Sequence, residues 1–384
     1  MIDLTLYDRH RHAVGPLGMF SSAELILRHN ALGQLTVTAS LADPRIPQAM
    51  DQGAMVVADM ALPGGLTRRL FSGRMVEAKG KGPSISGQAQ LTFVEDKDIV
   101  NRLLLWPNPD KAITAQTSQQ RTITGPAETV VKTLIRENLV HFLAGSPERV
   151  VVAPDRGRGG TITVQARMQY LADVALPKLT AAGIGLSVLQ DDAGQLVVDV
   201  YESGTFPHEM SELGGSLSAW EYTVTAPQAS AVVIPNAPAD PSTPPTSFYA
   251  PTPGSLVDDQ ESAWGARWEK YVESPDMDIP LSAVAITTLM EGASRWGVSV
   301  EVSEGQTFRF GDNVWLGDLV EVELAGRGVM SQPLLEVKLS ASNGIGRTGL
   351  PEWSTTPVVG EMTTGSRRVY QLMASILRQL NRRS

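Results

Sequence analysis

Apolar and polar residues alternate at every second position through most of the first hundred residues. In "GQLTVTASL" the apolar positions are Leu35, Val37, Ala39 and Leu41. A similar run, "AELILRHN", precedes it, and "AMVVADMAL", "RLFSGRMVEAKG" and "SISGQAQLTFVEDK" follow. A period of two is typical of strands with one buried face, and short strands in close succession favour a barrel or sandwich. We therefore predict a small barrel-like domain over residues 1–110.

The apolar period becomes helical after residue 110. Behind Pro126, a residue type that suits the first turn of a helix, one helix face carries only apolar side chains: Ala127, Val130, Val131, Leu134, Ile135 and Leu139. A second helix is predicted at about 165–182, where Pro177 should kink or break it, and a hairpin that turns at 191–194 follows. A further helix at 280–296 leads into the strand "GVSVEVS".

These patterns divide the chain into interwoven parts. The strand pattern in "EYTVTAPQASAVVI" predicts that residues 215–235 complete the first β-domain. Residues 111–214 and 262–303 are assigned to an α+β domain. Seven prolines between Pro235 and Pro253 predict a strap or linker over 236–261. The remaining assignments are a second small barrel-like domain at 304–345, with its hairpin around 325–328, and a linker with a C-terminal helix at 346–384. The predicted fold class is β-rich α+β.

The C-terminal helix is predicted to be an interface. Its apolar side chains fall on one stripe, namely Val369, Leu372, Met373, Ile376, Leu377 and Leu380. Residues 361–384 hold five arginines and one acid, Glu361, which gives a net charge of +4. Because the whole chain carries −9, the other 360 residues carry −13. An isolated helix of this length is marginal in water, so the stripe needs a partner. Three partners are open: the chain's own acidic body, the same helix in other copies, or another protein; we favour an intermolecular contact. Trp264 and Trp268 are a second candidate patch, either an interface or internal packing.

Composition excludes several kinds of chemistry. The chain of 384 residues has no cysteine, which rules out disulfides, thiolate metal sites and a cysteine nucleophile. A net charge of −9 disfavours a general duplex-binding surface. The N-terminus lacks the apolar run of a secretory signal, and no stretch is long enough to predict a membrane span.

Candidate catalytic and binding motifs are weak throughout. His10 and His12 have the spacing of two metal ligands on a strand, but no HExxH motif accompanies them, so a solvated segment is the preferred interpretation. "PDRGRGGTITV" at 154–164 lacks the Gly-Lys-Ser/Thr ending of a phosphate loop, and we interpret it as a basic loop before a strand. Asp276 and Asp278 lack the glycine and closing glutamate of a calcium loop. We expect no catalytic residue, metal or cofactor.

The order of the segments resembles the baseplate hub, or minor tail, proteins of long-tailed, siphovirus-type phages that infect actinobacteria. The stretches that carry the resemblance are "ELILRHNALGQLTVTASL", "LFSGRMVEA", "TAPQASAVVI", "WGARWEKYVES" and "RFGDNVWLGDLVEVEL". Such proteins are similar to the hubs of contractile tails. The resemblance implies a virion protein with two barrel-like domains interwoven with an α+β domain. It also implies a ring of three copies that joins the distal tail protein and the tape-measure protein to tip and fibre proteins, and that lets DNA pass without specific binding.

Two other classes of function remain as alternatives. One is a tail-associated hydrolase of the cell envelope, although no cysteine, zinc or glycosidase module is recognisable in the sequence. The other is a soluble bacterial protein with an unrelated substrate. The mass in solution discriminates between a hub and both alternatives, because a hub predicts a trimer and the alternatives predict a monomer or dimer. We expect no membrane insertion by this chain.

Overall fold

The computed structural model divides the chain into two compact units, which are described separately. Unit 1 comprises Met1–Trp220 and Val300–Val359, and unit 2 comprises Glu221–Ser299 and Gly360–Ser384. The structure describes residues 2–83, 86–144, 146, 148–212, 214, 216–236, 244–251, 260–273, 281–302, 308–324, 328–342 and 352–360. The predicted C-terminal helix, with its six apolar positions, lies outside the described residues, as do Asp276 and Asp278.

The strands, in chain order, are β1 (Ile2–Tyr7), β2 (Ala13–Pro16), β3 (Phe20–Arg28), β4 (Gln34–Ser40), β5 (Met55–Ala61), β6 (Thr67–Lys81), β7 (Gln88–Glu95), β8 (Leu104–Leu105), β9 (Arg121–Pro126), β10 (Val150–Val152), β11 (Thr161–Ala166), β12 (Gln169–Tyr170), β13 (Ile184–Gln190), β14 (Leu196–Glu202), β15 (Thr205–Ser211), β16 (Leu217–Thr225), β17 (Ala231–Pro235), β18 (Phe248–Tyr249), β19 (Glu269–Tyr271), β20 (Arg295–Val302), β21 (Leu319–Leu324), β22 (Gly328–Ser342) and β23 (Glu352–Gly360). The helices are α1 (Ile46–Ala49), α2 (Ile99–Arg102), α3 (Ala127–Phe142), α4 (Leu171–Ala181), α5 (Gln260–Trp264) and α6 (Leu281–Gly292). The predicted β-rich α+β class is confirmed.

The main sheet of unit 1 is antiparallel and runs in the order β2–β1–β5–β6–β7–β4–β3–β22–β23. The predicted alternation is confirmed, because Leu35, Val37 and Ala39 are fully buried. The predicted hairpin near the end of the chain is also confirmed, by the antiparallel pairing of β21 with β22. The register sets Leu25 of β3 opposite Leu339 of β22, so strands from the two predicted barrel-like regions form one continuous sheet.

The helical part of unit 1 packs α3 and α4 against two small sheets. One sheet pairs β10, β14 and β13, and the other is the ribbon of β9 and β11. All six predicted stripe residues of α3 are buried in this core, together with Leu171 and Leu179 of α4 and Leu186 of β13. The α3 stripe is therefore confirmed, and Pro126 directly precedes the first helical residue.

The second predicted helix begins six residues later than expected. The first residues of the predicted span belong instead to the end of β11, where Gln165 and Ala166 pair with β9, and to β12, which pairs with β8. Pro177 does not break α4, which continues to Ala181. A proline seven residues into a helix removes one backbone hydrogen bond, and the buried side chains of α4 hold the remaining turns in place.

Unit 2 contains a small sheet that is covered by a helix. β17 pairs with β18 in antiparallel and with β19 in parallel orientation. Val232 and Ile234 of β17 pack against Ala285 and Leu289 of α6. α6 ends at Gly292 rather than at 296, and the Gly292 carbonyl accepts hydrogen bonds from the backbone N–H groups of residues 228–229. The chain passes so close at this point that a Cβ on residue 292 would lie 2.7 Å from Ala229.

The stretch predicted as a linker after residue 346 contains strand β23. Its residues pair with β22 from Ser342↔Glu352 to Leu334↔Val359. Glycine, serine and threonine suggested a linker by composition, but the backbone of 352–360 satisfies its hydrogen bonds in the sheet. The other predicted domain boundaries stay predictions. No helix among the described residues is long and apolar enough to cross a membrane.

Candidate assembly surface and its buried supports

A buried polar junction in unit 1 joins the first β-region to the α+β part. The Arg11 guanidinium donates to both carboxylate oxygens of Asp96, at 2.9 and 3.1 Å, and to Gln190 Oε1 at 2.6 Å. Ser72 donates to Asp96 at 2.6 Å and accepts from the Gln190 backbone at 2.8 Å. All four residues are buried. Side chains from separate segments of the chain thus meet in one buried hydrogen-bonded network, which favours one arrangement of the elements that carry them, although Gln190 Nε2 has no partner there.

The histidines on either side of Arg11 lie at the surface. His10 and His12 are exposed, and Asp8 binds the backbone N–H groups of both. Among the described residues, no group of three or more His, Asp or Glu side chains is arranged to hold a metal ion. Arg11 is the residue of this segment that makes a buried ion pair. The sequence did not reveal it, because its partner Asp96 is 85 residues away.

The glycine-rich loop at 154–160 covers the beginning of α3. The carbonyls of Gly160 and Arg158 accept from the first N–H groups of the helix, at 3.0 and 3.1 Å. The Arg158 guanidinium binds Glu128 at 2.9 Å. The loop therefore occupies the position that a phosphate would take, which agrees with its interpretation as a basic loop before a strand.

Glu128 is the centre of a buried ionic network. Hydrogen bonds from Arg158 and then from Lys132 hold the pKa of Glu128 well below its usual range. Lys132 is fully buried and donates to Glu128 at 2.6 Å, to Asp199 at 2.7 Å and to the Pro154 carbonyl at 2.9 Å. The spacing of four residues between Glu128 and Lys132 was the available signal in the sequence.

A third junction ties the β21–β22 region to the rest of unit 1. Trp315 stacks on Phe310 with the ring centroids 4.9 Å apart, and the Arg68 guanidinium lies 3.7 Å above the Trp315 ring. Tyr201 meets the edge of Trp315 and bonds His29 Nδ1 at 3.1 Å. Burial, with a contribution from nearby Lys97, lowers the pKa of His29 to about 4, so the ring is neutral at pH 7.

The two tryptophans singled out in the sequence are brought together in unit 2. Trp264 in α5 and Trp268 before β19 lie with ring centroids 6.4 Å apart and planes at 90°. Trp264 is 37% exposed, and Phe248 and Tyr271 of the same unit are 51% and 59% exposed. Aromatic side chains exposed in this way are typical of protein interfaces, but the role of Trp264 and Trp268 stays a prediction.

The structure also shows a cleft of ≈ 760 Å³ in unit 1. It lies between the loop after Pro107 and the C-terminal half of α3, and Val140 and His141 contribute to its wall. Arg121 and Glu137 in its lining pair with each other at 2.7 Å. These two charges therefore satisfy each other within the cleft.

A solved structure shares this fold over most of the chain. A crystal structure of the 43 kDa tail protein of prophage MuSo2 from Shewanella oneidensis is similar, with a TM-score of 0.53 and 13% identity over 93% of this chain and 98% of that one. The prophage tail protein gp18 of Listeria monocytogenes gives a TM-score of 0.48 with 10% identity over 98% and 99% of the two chains. A search of curated proteins finds no match.

The fold is thus similar to that of a solved phage tail protein, and a family model confirms the resemblance to siphovirus tail proteins drawn from the order of segments. The family model of the siphovirus ReqiPepy6 Gp37-like protein matches residues 3–349, nearly the whole chain. The match includes the main sheet from β2 to β22 and all three buried junctions, and it ends before β23. The chain therefore belongs to the siphovirus ReqiPepy6 Gp37-like protein family.

Proposed function

We propose that the protein is a non-enzymatic structural component of the phage tail tip. Three copies form a ring around the tail axis, which joins the distal tail protein and the tape-measure protein to tip and fibre proteins. The observation that carries this proposal is the family match over residues 3–349, together with a fold that is similar to a phage tail protein along 93% of the chain. The resemblance to hub proteins supports the ring.

The charge distribution supports a ring through which DNA passes. The 360 residues before Glu361 carry a net charge of −13. Negative charge repels phosphate, so an acidic lumen lets DNA slide without binding. Residues 361–384 carry +4. In this proposal the basic segment contacts protein. Its apolar stripe at 369–380 and the Trp264–Trp268 pair are the proposed assembly contacts.

The mass of the purified chain in solution tests the proposal. One copy has a mass of 41.2 kDa, so a trimer measures three times that, about 124 kDa, by light scattering behind a sizing column. A monomer at all concentrations up to about 100 µM, well above the Kd of a stable ring, contradicts it.

The alternative of an envelope hydrolase has its own measurement. Incubation of the protein with purified cell walls should release no soluble sugar or peptide above the buffer control. Release that disappears on mutation of one pair of carboxylates would overturn the proposal in favour of an enzyme.

A further inference from the structure

The outward face of the β15–β21–β22 sheet is an exposed surface of mixed character. In β21 the outward residues Leu319, Glu321 and Glu323 alternate with the buried Val320, Val322 and Leu324. The residues opposite them on β22 are Pro333, Ser331 and Val329, and Glu209 of β15 lies beside Glu321. Leu319 is 43% and Val329 is 54% exposed. Apolar groups thus lie at both ends of the face, with three carboxylates between them.

The three carboxylates of this face lack a cationic partner in the part of the chain that the structure describes. Desolvation and the adjacent Glu323 and Glu321 raise the pKa of Glu209, because ionised neighbours disfavour another negative charge. Elsewhere in unit 1 a strand carboxylate pairs with a cation on the neighbouring strand, as Glu24 does with Lys338 at 2.6 Å. The face therefore offers an uncompensated negative potential beside exposed apolar groups.

We propose that this face binds the C-terminal segment 367–383 of a neighbouring copy of the chain. This inference rests on the proposed function, since it names the partner surface of the helix within the ring. A ring built from one kind of chain needs two different, complementary patches on each copy. The basic amphipathic segment is one patch, with five arginines and no acid beyond Glu361. The acidic, apolar-ended face is the other.

The dimensions of the two patches agree. In the helical conformation that the sequence predicts, residues 367–383 would be about 25 Å long, and the apolar stripe from Val369 to Leu380 would cover about 17 Å. The outward positions of β21 span about 13 Å from Leu319 to Glu323. The apolar stripe can cover the exposed apolar groups at both ends, and the long arginine side chains beside it reach the carboxylates.

The competing occupant is the same segment of the same chain. The chain leaves its last described strand at Gly360, and Val359 pairs with Leu334, next to Pro333 on this face. A six-residue connection, 361–366, then leads to the segment. The test must therefore separate contacts between copies from contacts within one copy.

Disulfide trapping makes this separation, because the chain contains no cysteine of its own. Glu321→Cys is combined in one chain with Arg368→Cys, Arg378→Cys or Arg383→Cys, so that at least one pair covers the register. Under mild oxidation and non-reducing electrophoresis, we expect linked dimers and trimers that are absent in reducing gels. A fast-migrating, internally linked monomer as the only product overturns the proposal in favour of the chain's own segment. No disulfide in any of the three variants, in a chain that still runs as a trimer, overturns the docking site but leaves the proposed function intact.

Charge reversal supplies the second measurement. A face variant carries Glu209→Lys, Glu321→Lys and Glu323→Lys, and a matched control reverses the exposed acids Asp51, Glu77 and Glu202 outside the face. We expect at least about a tenfold weaker self-association for the face variant and no change for the control. Reversing the five arginines to glutamate in the face variant should restore association. Equal effects of face and control variants, or no rescue, contradict the proposal. A wild-type chain that is monomeric throughout contradicts the proposed function itself.

Discussion

Changing Asp96 to asparagine tests whether the Arg11 junction stabilises unit 1. Asp96 accepts two hydrogen bonds from Arg11, at 2.9 and 3.1 Å, and both side chains are at most 6% exposed. Asparagine keeps the shape of the side chain and can still accept from Ser72. It removes the negative charge, so the Arg11 guanidinium is left buried without a counter-charge.

The expected loss is large because the unpaired charge cannot reach water. Breaking a buried ion pair by removing one partner costs about 3–5 kcal/mol. Unit 1 comprises 280 residues, Met1–Trp220 and Val300–Val359. At about 2.1 cal/mol/K per residue its unfolding entropy is roughly 0.6 kcal/mol/K, so Tm should fall by about 5–8 °C.

Calorimetry or circular dichroism measures this shift, and a neighbouring ion pair provides the control. Asp98 lies two residues further on and pairs with Arg102 at 2.9 Å on the surface, where both side chains are more than a third exposed. Asp98→Asn should cost less than about 1 kcal/mol. Adding Arg11→Met to Asp96→Asn should recover part of the loss, because it removes the stranded charge. Equal shifts for the Asp96 and Asp98 variants would refute the reasoning.

Three further predictions concern the other junctions and the aromatic patch. The pKa of His29 is about 4 in the folded chain against 6.5 in the unfolded chain, so lowering the pH protonates the unfolded state first. Relative to His29→Gln, the wild type should therefore lose about 3 kcal/mol of unfolding free energy between pH 7 and pH 4. The pKa of Glu128 is lowered in the folded chain, so its contribution to stability is present above its unfolded pKa of 4.5 and is lost as the pH falls. Glu128→Gln should lower the free energy of unfolding in urea by about 3–5 kcal/mol at pH 7 and by progressively less towards pH 2. Trp264→Ala with Trp268→Ala should weaken assembly about 30-fold by light scattering while the far-ultraviolet dichroism stays constant, and unchanged assembly would mean that the pair only packs within its unit.

Local periodicity was sufficient to predict most of the elements. The alternation in β4 and the apolar stripe of α3 each require one buried face, and a face is a property of a few consecutive residues. The hairpin of β21 and β22 likewise follows from two apolar runs around a glycine-containing turn. The start of the second helix was predicted wrongly: residues 165–170 contain the end of β11 and all of β12, and pairing with β9 and β8 decided the outcome.

Tertiary structure decided which distant residues meet. Arg11 and Asp96, and likewise Lys132 and Asp199, are 85 and 67 positions apart, and no local period connects them. Each pair forms only where folding brings the two side chains together, which a charge count cannot reveal. The acidic face has the same origin, since Glu209 reaches Glu321 only through the parallel pairing of β15 with β21. The sequence by itself determined the strands, the long helix, the excess of acid and the basic C-terminal segment, because these depend on neighbouring residues. The positions of the buried junctions and of the face that we propose for assembly depend on the register between strands, which only the folded chain defines.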